Sequence, residues 1–305
     1  MSRRAELLAR HVVPRGEITC PCSAAEVAAR QSKDSPAPLK HAAHRLSTNQ
    51  LAFFDTFGYL VFPGLLADCA ERIIESFEAV WAAHGGGHNN QPHDPTQRSC
   101  IVPFPDQSVF LSSLLDDGRI WGPVASLLGD DFNYTSGDGN IYAGDTHWHS
   151  DGYGRRSNGR GDGRFSIKMA FYLDTLTKDT GAVRFIPGSH KVGDTYGDAV
   201  EAGCKSRDQK KTNRSSSARG SNAIDDWGID GPSVPAVCIE SKPGDVVVFA
   251  HNLKHASFGG GGTRRMYTMN FCERYPVSLN QASTFRYVVQ RTICLSCQLY
   301  AGRSD

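Results

Sequence analysis

Lys242-Pro243-Gly244-Asp245-Val246-Val247-Val248-Phe249 decides how this chain is read. A Pro-Gly-Asp turn feeds a short, unbroken apolar run rich in β-branched residues. Such a run is a strand covered on both faces. Working outward, further strand-like runs lie at 140–144, 166–173, 182–186, 245–250 and 265–271, separated by Gly, Pro and Asp turns. The chain before them is helical. Ser47 with Gln50 forms a capping box ahead of an apolar face of Leu51, Phe53, Phe54 and Phe57, which Gly58 stops. Tyr59-Leu60-Val61-Phe62 reads as a strand closed by Pro63-Gly64. A second helix over 66–84 puts Ile73, Ile74, Phe77, Val80 and Trp81 on one side. Helices first and short strands after them predict a mainly β fold, a double-sheet jelly roll with helices packed on one face.

With 305 residues, the chain is expected to hold one domain over 46–305, preceded by a flexible extension over 1–45. The Arg-rich opening would also suit a transit peptide. Glu6, Glu17 and the lack of a serine-rich run favour an extension and a cytoplasmic protein. Lys and Arg (33) balance Asp and Glu (32), so no global field draws in nucleic acid or an anionic membrane. No apolar run reaches the roughly 20 residues of a membrane span. Nothing points to a protein partner. The nine cysteines read as free thiols in a reducing compartment, and zinc binding by Cys20/Cys22 with Cys294/Cys297 is disfavoured by their spacing. Two polar stretches, 85–99 and the insertion 203–231 with its Lys and Arg cluster, are expected to be loops, with lids as the functional alternative.

The chemistry sits in Thr146-His147-Trp148-His149-Ser150-Asp151. In an extended segment residues two apart share a face, so His149 and Asp151 present an imidazole and a carboxylate side by side. These are two thirds of the 2-His-1-carboxylate triad of non-haem iron, which leaves three positions open. The strand at 245–250 is a rigid platform for a third ligand, with His251 and His255 both following it. Arg264-Arg265 opens the next strand, and a guanidinium matches the distal end of a dicarboxylate. Asn140 and Tyr142 share a face on the strand leading to His149, which suits cosubstrate or substrate contact. His147 has the parity of the pair. Trp148 belongs on the opposite side, in the core. His190 reads as a turn residue, and His84, His88 and His93 as exposed.

Several stretches together resemble the phytanoyl-CoA dioxygenase-like 2-oxoglutarate oxygenases: 51–66, WHSD at 148–151, KMAFYLDTLTKDTGAVRFIPGSHK at 168–191, and PGDVVVFAHNLKHAS at 243–257. The resemblance implies a double-stranded β-helix, a jelly roll of the cupin kind. It implies iron(II) held by His149, Asp151 and His255, since His255-Ala256-Ser257 fits the distal motif and His251-Asn252-Leu253 does not. It implies 2-oxoglutarate as cosubstrate with dioxygen, and ascorbate as a reductant. Ser257 would hydrogen-bond the cosubstrate carboxylate and Arg264 would pair with it, with Arg265 as competitor. Lys168 departs from a hydroxyl-bearing position, either to bind a carboxylate by charge or to face solvent. The implied outcome is hydroxylation of an aliphatic C–H in a small-molecule substrate, with release of succinate and carbon dioxide. Related halogenases lack the carboxylate that Asp151 supplies. Desaturation, epimerisation or ring formation would use the same centre. A cupin-like metal enzyme without 2-oxoglutarate, or a degenerate metal-binding protein, is the alternative of another class.

Overall fold

A computed structural model describes residues 44–87, 90–151, 165–191 and 231–274, with short pieces at 196, 199, 223–224 and 229–230. The 1–45 extension (but for His44 and Arg45), His88, the basic cluster of the 203–231 insertion and both cysteine pairs lie outside those residues.

Ser47 caps α1 (Thr48–Phe57): its hydroxyl accepts from the Gln50 backbone N–H, and the Gln50 side chain returns to the Ser47 N–H. Gly58 ends the helix in the left-handed region, at φ 84°. The expected apolar face is corrected. Only Phe54 is buried, while Phe53 and Phe57 are 40% and 38% exposed and touch each other at 4.6 Å. One line of α1 meets the core, so its other aromatics cover each other at the edge. The helix expected over 66–84 is a 3-10 turn, Ala67–Cys69, followed by α2 (Ala70–Ala83). α2 buries Ile73, Phe77, Val80 and Trp81. Two further helices go beyond the sequence expectation, α3 (Val109–Ser113) and α4 (Gly118–Leu128). α4 carries Gly118, Gly122 and Pro123, residues that read locally as breakers, but Asp117 caps it and burial of Ile120, Trp121, Val124 and Leu128 holds it.

The strands β1 (Tyr59–Phe62), β2 (Ser99–Ile101), β3 (Asn133–Ser136), β4 (Gly139–Tyr142), β6 (Ser166–Tyr172), β11 (Val246–Ala250) and β13 (Arg264–Cys272) form a seven-stranded sheet. Their order is β1-β11-β6-β13-β4-β2, with β3 also on β13. A second sheet joins β10 (Val237–Ile239), β7 (Val183–Phe185), β12 (His255–Ser257) and β5 (Thr146–His149) in that order. Two short strands, β8 (Ala223–Ile224) and β9 (Ile229–Asp230), pair with each other. All pairings are antiparallel. This is the jelly-roll arrangement of two facing sheets.

The helices cover the outer face of the large sheet. Phe171 and Tyr267 stack at 4.4 Å beneath Phe104, and Phe77 of α2 meets Phe104 at 5.0 Å. The inner face looks onto the small sheet, where Tyr59 stacks on Phe185 at 5.1 Å. β11 lies between these layers and is buried along its whole length, which is why Val246–Ala250 shows no alternation. No helix among the described residues is long and apolar enough to cross a membrane.

Candidate metal centre

In the small sheet β12 runs antiparallel to β5, and the register sets His255 directly opposite His149. Cross-strand partners share a face, so the two imidazoles meet with ring centroids 4.2 Å apart. Asp151, two residues beyond His149, closes the group. Its Oδ1 is 3.9 Å from His149 Nε2 and its Oδ2 is 3.5 Å from His255 Nε2. The three candidate ligand atoms lie within 4.8 Å of one another.

The hydrogen bonds behind the rings suit metal binding. His149 Nδ1 is 2.7 Å from the His147 carbonyl, and His255 Nδ1 is 2.8 Å from the Leu253 carbonyl. A carbonyl oxygen only accepts, so each Nδ1 carries the hydrogen and each Nε2 turns a lone pair toward Asp151. Burial, aided by the neighbouring His149, pushes His255 down to about 3 and keeps it neutral. Burial alone would raise the Asp151 carboxyl. Lys168, then His255, His149 and His251, outweigh it and hold that carboxyl well below the usual range. Two imidazoles offering Nε2 and one ionised carboxylate are the donor set that non-haem iron(II) takes.

Lys168 of β6 does not face solvent. Its Nζ is 2.9 Å from Asp151 Oδ2, and the charge of Asp138 acts on it as well. Arg264 and Arg265 part company at the start of β13. Arg264 is 6% exposed and donates to the Gly181 carbonyl, to Ser257 Oγ and, at 3.3 Å, to Thr146 Oγ1. Its guanidinium lies 4.7 Å over Tyr142, and its Nε is buried without a partner among the described residues. Arg265 points to the opposite face, into Asp174 and Glu78 at 2.5 and 2.6 Å. Ser257 Oγ donates to Gly181 O at 2.6 Å, so its proton is engaged there and the hydroxyl braces Arg264. His251 stays outside the triad; its Nε2 is 3.2 Å from Asn270 Oδ1.

Asn140 is fully buried and already bonded. Its Oδ1 accepts from Arg98 Nε at 2.8 Å and Nη2 at 2.5 Å, and its Nδ2 donates to Asp138 at 2.5 Å. Arg98 and Asp138 escaped the sequence reading because a loop arginine and a Ser-Gly-Asp-Gly turn carry no period. Tyr172 could have been found, since it shares the parity of Lys168 on β6. Burial raises Tyr172, although Arg264 opposes it. Burial raises Tyr142 as well, against Arg98. Trp148 faces away from the site, buried, and donates to Gly231 O. His190 contacts the Asp55 carbonyl at 3.2 Å, and His84 the Val80 carbonyl at 2.9 Å. The expectation that His84 and His93 are exposed is corrected: both are part-buried, and His93 lies 2.8 Å from Ser99 Oγ and 2.6 Å from Gly262 O. Ser99, placed in a loop by its sequence, belongs to β2.

The phytanoyl-CoA dioxygenase (PhyH) family model matches residues 54–266. Among solved structures the chain is similar to the non-heme alpha ketoglutarate dependent carbocyclase SnoK from nogalamycin biosynthesis (TM-score 0.54, 18% identity, 76% of this chain and 86% of that one). It is similar to HygX from Streptomyces hygroscopicus with iron bound (TM-score 0.52, 19% identity, 76% and 88%). It is also similar to EctD from S. alaskensis in its apoform (TM-score 0.52, 21% identity, 77% and 82%). These likenesses concern the fold. Among curated proteins, none matches the sequence.

Proposed function

The chain belongs to the phytanoyl-CoA dioxygenase family, and from that premise we propose that it is an iron(II)- and 2-oxoglutarate-dependent oxygenase that hydroxylates an aliphatic C–H of a small molecule. The observation that carries this reading is the convergence of His149, Asp151 and His255, with both Nδ1 atoms tied to backbone carbonyls and both Nε2 atoms turned inward. These three would hold the metal. Bound there, iron(II) with 2-oxoglutarate as reductant would activate dioxygen, one of its oxygen atoms going to succinate as carbon dioxide leaves and the other into the substrate C–H bond.

The chain's own residues bind, orient and exclude water. Arg264 would pair with the distal carboxylate of 2-oxoglutarate; Ser257 and Gly181 hold the guanidinium in place, and Tyr142 lies beneath it. Lys168 engages Asp151 Oδ2, which keeps the carboxylate ionised and fixed in place to hold the metal. Phe249 sits edge-on to His255 at 5.0 Å, with Phe185 behind, so water is excluded from that side. Retention of Asp151 supports hydroxylation over halide transfer.

The test is reconstitution with iron(II) and 2-oxoglutarate against a substrate library, reading succinate and product mass together. Succinate with gain of one oxygen in the product supports the proposal. Succinate with loss of two hydrogens moves the reading to desaturation or ring closure. Succinate-free turnover, or no turnover with an intact metal site, removes it.

A further inference from the structure

The turn that follows β7, Ile186-Pro187-Gly188-Ser189-His190, contributes no member of the triad, yet it grips the residue in front of His255 at both backbone ends. The Lys254 N–H donates to Ser189 Oγ at 3.0 Å, and the Lys254 carbonyl accepts from the Ile186 N–H at 3.0 Å. The Lys254 ammonium reaches the Ser189 carbonyl as well, at 3.3 Å. The turn is itself tied to α1. The Gly188 N–H donates to the Phe57 carbonyl at 3.0 Å, and His190 contacts the Asp55 carbonyl. Ser189 is 1% exposed, Leu253 0% and Lys254 6%, so water does not compete for these bonds.

What the grip reaches is a single peptide unit. Leu253 and Lys254 lie in the connection between β11 and β12, outside both strands. The N–H of the peptide that joins them points at Ser189 Oγ, and its carbonyl takes the His255 Nδ1 hydrogen at 2.8 Å. A peptide is planar, so fixing the direction of its N–H fixes that of its C=O. Hydrogen bonds in a chain also polarise one another, so an amide that donates at one end accepts more strongly at the other. The chain runs from the Ser189 hydroxyl oxygen through one amide to Nδ1, and across the ring to the Nε2 that faces Asp151. The partner behind a ligating imidazole sets its tautomer, its orientation and its basicity. Serine suits this place because its short side chain ends in an acceptor. Alanine would take that acceptor from a buried N–H.

Resting on the reading of the metal centre given above, we infer that Ser189 is a positioning residue for the metal: it orients and polarises the Leu253–Lys254 peptide, which in turn holds the His255 imidazole with Nε2 toward the ion. His190 braces the same turn against α1 and stands outside that chain.

The experiment titrates the full-length, metal-free protein with cobalt(II) under nitrogen and follows the visible absorption of the bound ion. Urea unfolding of the metal-free protein is measured in parallel. Ser189→Ala should weaken cobalt binding about tenfold, the lower end of the loss that follows removal of a partner behind a ligating histidine. The absorption of the bound ion should change with it. Ser189→Cys keeps the shape with a poorer acceptor. It should lose affinity in the same direction, and it carries the test if Ser189→Ala does not fold. His190→Ala should cost stability in urea and leave cobalt affinity and absorption as in wild type. Wild-type affinity and absorption in Ser189→Ala, or in Ser189→Cys should the alanine variant not fold, overturns the inference alone, since stability is then all that Ser189 provides. A loss of affinity in His190→Ala equal to that in the serine variants overturns it as well. Failure of wild type to bind one cobalt(II), or binding that survives His255→Ala undiminished, overturns the reading of the centre, and this inference with it.

Discussion

Replacing Arg264 by Ala should abolish tight 2-oxoglutarate binding and leave the metal in place, whereas Arg265→Ala should do neither. The two neighbours differ only in which face of β13 they occupy. Arg264 is buried, and among the described residues it bonds or packs with Gly181, Ser257, Thr146 and Tyr142 and with no member of the triad. A guanidinium pairing with a carboxylate in such a place makes charge-assisted hydrogen bonds of roughly 1.5–3 kcal/mol each. Truncating one partner of a buried charge pair costs about 3–5 kcal/mol. At about 1.4 kcal/mol per factor of ten, the Kd for 2-oxoglutarate should rise by roughly two to three and a half powers of ten. Arg265 is 29% exposed in its side chain and serves Asp174 and Glu78, so its loss should cost about 0–1 kcal/mol of stability and nothing in cosubstrate affinity. Anaerobic calorimetric titration of the manganese-loaded variants gives the affinities, and elemental analysis gives the metal content. If Arg265→Ala loses 2-oxoglutarate while Arg264→Ala keeps it, or if Arg264→Ala loses its metal, the division of labour on β13 is refuted.

The metal ligands are checked by elemental analysis: Asp151→Ala and His255→Ala should lose most bound iron, while His251→Ala, whose Nε2 meets Asn270, should keep it. Gly181 has φ 97°, and a Cβ there would lie 2.7 Å from Arg264 Nη1. Gly181→Ala should therefore cost roughly 1–2 kcal/mol of backbone strain and weaken 2-oxoglutarate binding in the same titration. Gly261→Ala, with nothing within 4 Å of its Cβ, should leave the binding unchanged. The pH dependence of stability tests Asp117, whose carboxylate accepts from the Arg119 backbone at 2.8 Å and pairs with its guanidinium at 2.7 Å. The Arg119 hydrogen bond holds this carboxyl below its ordinary value, against the effect of burial. A depressed folded-state pKa means that the contribution is present above the ordinary value, about 3.9 for Asp, and is lost as pH falls through the lower folded value. Urea unfolding should show Asp117→Asn less stable than wild type at neutral pH, with the gap closing below about pH 4. A gap that widens in acid contradicts the assignment.

Much of the scaffold was legible in residues close together along the chain. The Ser47–Gln50 box, the stop at Gly58 and the unbroken apolar run of β11 each depend on neighbours within a few positions, and such patterns survive in the sequence whatever packs around them. The same locality put His149 and Asp151 on one face. α4 was missed because burial of Ile120, Trp121, Val124 and Leu128 overrides the unfavourable propensities of Pro123 and its two glycines. Parity says which residues share a face, but it cannot say which face is inside. The β12–β5 register set His255 opposite His149, and the β13–β4 register set Arg264 opposite Tyr142 and turned Arg265 outward. Lys168 met Asp151, and Arg98 met Asn140, 42 residues away in the chain. Which alternating face becomes a site is decided by the sheet that closes over it, a long-range contact that no local period encodes.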